Sequence, residues 1–160
     1  MSEEKTYTES EAHRHFAAKL NGEVWGLLEK ADRTRAEEEI MIHSAHASCR
    51  HWLAVGTGVH HQRAEWMLAR VYSELGLAEA ALRHANRCQE LTQEYAGLME
   101  DFDHAYAHEA MARANAVAGN RGEALEHLQL AEAAGQAITD DQSKQFFVGD
   151  LNGGDWHGLK

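Results

Sequence analysis

Four small residues in one stretch of this chain recur in another at a common offset of 43 positions: Ala69, Gly76, Ala81 and Cys88 are answered by Ala112, Gly119, Ala124 and Ala131. A fixed period of this length marks a repeated supersecondary unit, and it constrains the fold more than any single motif. The unit reads from Arg63 to Cys88. Leu68, Ala69, Tyr72 and Leu75 fall at helical spacing up to Gly76, and Ala81, Leu82, Ala85 and Cys88 resume that spacing beyond it. Small side chains at 69, 81 and 85 let two antiparallel helices approach closely, while Gly76 suits a left-handed corner between them. The expected unit is a helical hairpin.

At these positions the chain resembles the tetratricopeptide repeat family. Leu68-Ala69, Tyr72, Gly76, Ala81 and Ala85 stand where that family places its leucine-small pair, aromatic, turn glycine and second-helix small residues. The second copy keeps Met111-Ala112, Gly119, Ala124 and Ala131, with Asn115 and Leu128 as departures. The family's closing proline is missing from both copies. Its usual period of about 34 residues is exceeded by roughly 9, some two and a half helical turns, so a helix or a connection must be longer. The resemblance covers residues 63–137. It implies a protein-binding fold in which the first helix of each hairpin lines a concave groove. Mapped by the repeat, that groove carries Arg63, Trp66, Arg70 and Glu74 from the first unit and Tyr106, Glu109 and Arg113 from the second.

Composition agrees with helices and narrows the partners. Proline is absent, alanine and glutamate abound, and β-branched residues are sparse. The expected class is all-α, antiparallel helical hairpins stacked as a short α-solenoid of about six or seven helices. The 26 acidic and 15 basic side chains give a formal charge of −11, which argues against a phosphate-backbone partner. No apolar run approaches the roughly 20 residues of a membrane span. The first residues lack a signal-peptide pattern, and Cys49 and Cys88 both fall in helical patterns, so the expected location is the cytoplasm with both thiols reduced.

The 160 residues are expected to form a single domain. Residues 1–9 are polar and expected to fray. Residues 10–56 read as a degenerate N-terminal hairpin, opened by the capping boxes Thr8-x-x-Glu11 and Thr34-x-x-Glu37, with Asn21-Gly22 as a possible kink or split. Residues 59–97 and 101–137 are the two repeats, with the second first-helix capped by Asp101 or Asp103. Residues 141–148 are expected to form a capping helix over the exposed end, and the glycine-rich tail 149–160 to be loose, with Leu151 or Trp156 as the residues that could dock.

Histidine is in excess, with 12 in the chain. His43 and His46, three apart, and His104 and His108, four apart, sit at spacings that suit a metal ion if the two pairs meet. His60-His61 falls at a helix start, where a neutral imidazole is favoured over a protonated one. No H-E-x-x-H, C-x-x-C, G-x-S-x-G or phosphate-loop motif is present, so no catalytic residue, cofactor or tightly bound metal is expected. The leading reading is a non-enzymatic module that binds a protein or peptide with exposed carboxylates, or its own copy, with Trp66 as apolar anchor and Arg70 and Arg113 as carboxylate forks. The alternative is a histidine- and carboxylate-bearing metalloprotein with hydrolase or oxidoreductase activity.

Overall fold

The computed structural model describes residues 2–160, and these form seven α-helices with no strand among the described residues. They are α1 (Glu9–Leu28), α2 (Arg35–Val55), α3 (Gly58–Glu74), α4 (Ala78–Glu94), α5 (Asp101–Ala118), α6 (Arg121–Gln136) and α7 (Asp141–Asn152). Consecutive helices pair as hairpins α1–α2, α3–α4 and α5–α6, which stack through α2 on α3 and α4 on α5. The first helices form one row, since Trp25 of α1 meets Trp66 of α3 (ring centroids 5.5 Å apart) and Trp66 meets Tyr106 of α5 (5.1 Å). This is an all-α stack of antiparallel hairpins, closed at one end by α7. No helix among the described residues is long and apolar enough to cross a membrane.

Local chemistry sets the helix ends. Thr8 and Thr34 each accept an N–H from the glutamate three residues on, and Glu11 and Glu37 each accept the threonine N–H in return. The two glycine corners are identical in construction. Gly76 and Gly119 have φ of 74° and 80°, and the residue after each donates back to the last turn, Leu77 to the Tyr72 carbonyl and Asn120 to the Asn115 carbonyl, both at 2.9 Å. Between α1 and α2 no glycine does this work. There the Arg33 guanidinium reaches the carbonyls of Leu27, Leu28 and Lys30 at 3.1, 3.3 and 2.8 Å.

The small residues carry the hairpin contacts. Ala69, Ala81, Ala85 and Cys88 in one unit, and Ala112, Ala124 and Ala131 in the other, are all 0% exposed. The long period is accommodated by two helices of 17 residues each and by a 95–100 connection holding the 3₁₀ turn Ala96–Leu98.

Three expectations need correction. Helix α1 runs unbroken through Asn21-Gly22, because a glycine inside a helix costs only about 1 kcal/mol relative to alanine and forces no break. The cap of α5 is Glu100, whose N–H is accepted by the Asp103 carboxylate at 3.0 Å, in place of Asp101 or Asp103 at the cap itself. The tail is packed, not loose: α7 continues to Asn152, and Leu151, Trp156 and Leu159 are buried.

Candidate functional site

The face made by α1, α3 and α5 has two halves. The first is a cavity of about 200 Å³ with Trp25, Trp66, Phe102 and Tyr106 among its walls and Arg63 and Asp103 beside them. Arg63 grips the Asp103 carboxylate with two bonds, 2.9 and 3.0 Å, and its guanidinium lies 5.0 Å above the Phe102 ring. Asp103 is buried while the Arg63 side chain stays nearly half exposed, so Arg63 is the cation at this rim. Behind the wall, Gln62 donates to Thr92 Oγ1 (3.0 Å) and to the Asp103 carbonyl (3.3 Å), which fixes α3 against α4 and α5. Trp66 is 7% exposed, and its buried indole Nε1 has no hydrogen-bond acceptor.

The second half is a row of alternating charges covered by the C-terminal segment. Arg33 Nη2 lies 3.5 Å from Glu74, Arg70 lies between Glu74 (4.0 Å) and Glu109 (3.7 Å), and Arg113 Nε donates to Glu109 at 3.1 Å. Burial brings the Arg113 pKa down to about 10, with Arg70 adding to that effect and Glu109 opposing it. The Arg113 Nη2 then donates to the backbone carbonyls of Asp150 and Gly153, both at 2.8 Å, and its guanidinium sits 4.0 Å over the Trp156 ring.

Other bonds seat the same segment. The Asp155 N–H reaches Glu74 at 3.2 Å, His157 Nε2 lies 2.7 Å from the Ser73 carbonyl, and Tyr106 donates its hydroxyl proton to Asp150. Burial, and next the Asp150 carboxylate, push the Tyr106 phenol well above its ordinary pKa, which keeps it a donor. Gly154 (φ +76°) passes so close that an added Cβ would fall 2.3 Å from Arg70 Nη2.

All seven groove residues expected from the sequence, Arg63, Trp66, Arg70, Glu74, Tyr106, Glu109 and Arg113, therefore lie on this face or its rim. Their exposure differs from the expectation. Arg70, Glu109 and Arg113 are 8%, 0% and 1% exposed, so they are neutralised by one another and sealed by the tail instead of standing free for a partner's carboxylate. Sequence reasoning missed Trp25, Phe102, Arg33 and, in the tail, Gly153, Asp155 and His157, while Trp156 was named as a residue that could dock. Phe102 was legible as an aromatic one turn before Tyr106; the docking of residues 153–160 had no periodic signal.

The histidines do not converge as the metal reading required. His46 meets the Tyr72 hydroxyl at 2.7 Å and the His84 ring, on the α2–α3–α4 side. His108 pairs with His127 of α6 at 3.5 Å, with His104 near it. His60 accepts the Thr57 N–H at 3.0 Å, a cap that requires its neutral form, and burial lowers its pKa accordingly. Both cysteines are free and buried, with burial pushing the Cys49 thiol up to about 12.

No protein-family model, curated protein or solved structure matches this chain.

Proposed function

We propose that the chain is a non-enzymatic, tetratricopeptide-like module that binds a peptide segment of another protein, and that its recognition pocket is the aromatic cavity between α1, α3 and α5. The observation that carries this reading is that the same face already holds polypeptide. Residues 153–160 lie along it with the Gly153 carbonyl on Arg113, an indole under the guanidinium, and an N–H on Glu74. A face that satisfies one strand of backbone in this way suits a second one beside it.

The cavity would take an apolar or aromatic side chain, and the unpaired Trp66 N–H would donate to a carbonyl or carboxylate next to it. A partner's acidic group would compete with Asp103 for Arg63, the half-exposed cation of the rim, and would not reach the sealed pair Arg70 and Arg113. Free, buried thiols at Cys49 and Cys88 fit a reducing compartment, and we place the protein in the cytoplasm on that ground.

The test is selection from a displayed peptide library on the full chain, followed by titration of the selected peptides. Phe102→Ala and Arg63→Ala should each weaken them about tenfold, the scale of one interface contact, while Arg83→Ala should not. If no sequence is enriched, or all three variants bind as the parent does, the cavity is not a recognition site. Enrichment of peptides resembling residues 149–160 would identify a second copy of this chain as partner.

A further inference from the structure

On the side of the bundle remote from the α1–α3–α5 cavity, three helices bring together groups that the sequence leaves scattered. Cys49 of α2, with His61 and Glu65 of α3, present one ligand atom each within 4.8 Å of one another. We infer that Cys49, His61 and Glu65 bind a single divalent transition-metal ion, zinc foremost, with His84 of α4 orienting the carboxylate.

One distance matches a coordination-sphere edge, and the three ligand atoms lie within reach of a single ion. Zinc holds nitrogen and oxygen ligands at about 2.0–2.1 Å and thiolate sulfur at about 2.3 Å, so neighbouring ligand atoms of a tetrahedron lie roughly 3.3–3.6 Å apart. His61 Nε2 and Glu65 Oε1 are 3.4 Å apart, one such edge, and their four-residue spacing puts both on the same side of α3. The other carboxylate oxygen, Oε2, is 2.6 Å from His84 Nδ1. That is the arrangement in which an outer histidine fixes a ligating carboxylate and tunes its basicity.

The charge argument is independent of the distances. Glu65 is 8% exposed, and among the described residues its ion-pair partners are His61 and His84, with no lysine or arginine. A buried carboxylate is costly without a firm counter-charge, and two imidazoles supply one only when protonated. A dication answers the carboxylate whichever state the imidazoles hold. Thiol, imidazole and carboxylate together are also the donor set that favours zinc over magnesium or calcium, which take oxygen.

Access is present. A cleft of about 570 Å³ opens onto two of the three ligands, Cys49 and Glu65, with His84 and the cations Arg50 and Arg83 also on its walls. Three protein ligands leave a fourth position for water, the count of an open site rather than a closed structural one.

The experiment uses full-length protein made without an affinity tag, stripped with a chelator and titrated with zinc against a chromophoric competitor. One equivalent should bind, and the melting temperature should rise. Cys49→Ser and Glu65→Gln should each lower affinity at least tenfold. His84→Gln should lower it about 10–100-fold, the usual effect of an outer-shell change. Cys88→Ser and His43→Ala should leave it unchanged. Cobalt in place of zinc should show a thiolate-to-metal charge-transfer absorption that Cys49→Ser removes. Should Glu65→Gln fail to fold, the cobalt spectra of the parent and of Cys49→Ser decide alone. Substoichiometric zinc, or a cobalt spectrum unchanged by Cys49→Ser, would overturn the site.

Discussion

Replacing Arg113 by methionine, alone and together with Glu109→Gln, measures what the buried charge row contributes. Both groups are almost wholly sealed, and Arg113 Nε lies 3.1 Å from Glu109. Removing one member of such a pair strands the other, which costs about 3–5 kcal/mol. Arg113→Met leaves Glu109 only Arg70, at 3.7 Å, so the ionic part should fall near the lower end of that range. It also takes the donor from the Asp150 and Gly153 carbonyls, a further loss of about 1–3 kcal/mol unless the segment lifts and hydrates them.

Glu109→Gln has the opposite fault, because it leaves Arg70 and Arg113 facing each other without the carboxylate between them. In the double variant neither Glu109 nor Arg113 is stranded, and Arg70 keeps only Glu74, at 4.0 Å. What remains is mainly the loss of the tail's donors, so the double should cost about 2–4 kcal/mol, well under the sum of the singles. The assay is urea unfolding followed by circular dichroism on all four proteins, with a coupling on the order of 3 kcal/mol expected. Additivity to within about 0.5 kcal/mol, or a loss below about 1 kcal/mol for Arg113→Met, would refute the charge-row reasoning.

Two further expectations rest on other features. Gly76→Val and Gly119→Val should each lose about 1–2 kcal/mol or more, through left-handed backbone strain alone, since nothing stands where a Cβ would go at either position; melts that match the parent would show that these corners tolerate a side chain. His108 supplies a pH test. Burial, then His127 and His104, lower its pKa below the ordinary value of 6.5, so the unfolded chain binds its proton first. Its contribution is complete above that ordinary value and is lost as pH falls from there toward the folded pKa. Melting temperature should therefore drop between about pH 7 and pH 5.5, and drop less in His108→Gln; parallel slopes for the two proteins would remove His108 as the cause.

What was legible in the sequence was what is decided within a turn or two of chain. The capping boxes at Thr8 and Thr34 formed because a hydroxyl and a carboxylate three residues apart need no tertiary help. The corners at Gly76 and Gly119 formed because only glycine enters that backbone region without strain. The 43-residue period carried one long-range fact as well, the placement of Arg70 and Arg113 on adjacent first helices, because equivalent positions in stacked hairpins must lie side by side.

Burial of those arginines was not legible, and the reason is physical. The segment that covers them is held in part through its own backbone, by the carbonyls of Asp150 and Gly153 and the N–H of Asp155, beside the buried side chains of Leu151, Trp156 and Leu159. Every residue owns such groups, so their use leaves no mark on composition, and a tail rich in glycine reads as loose for want of periodicity. Yet glycine is what the docking demands at 154, where any Cβ would strike Arg70.

The two guanidiniums expected side by side are so placed, and in this structure they meet buried glutamates and the chain's own C-terminal carbonyls. Buried arginines beside buried glutamates have little free charge to offer a distant anion, but their planar donors still organise carbonyls and still stack on an indole. On the proposed reading, a partner would be selected by the side chain it places next to that backbone, in the cavity between Trp25, Trp66, Phe102 and Tyr106.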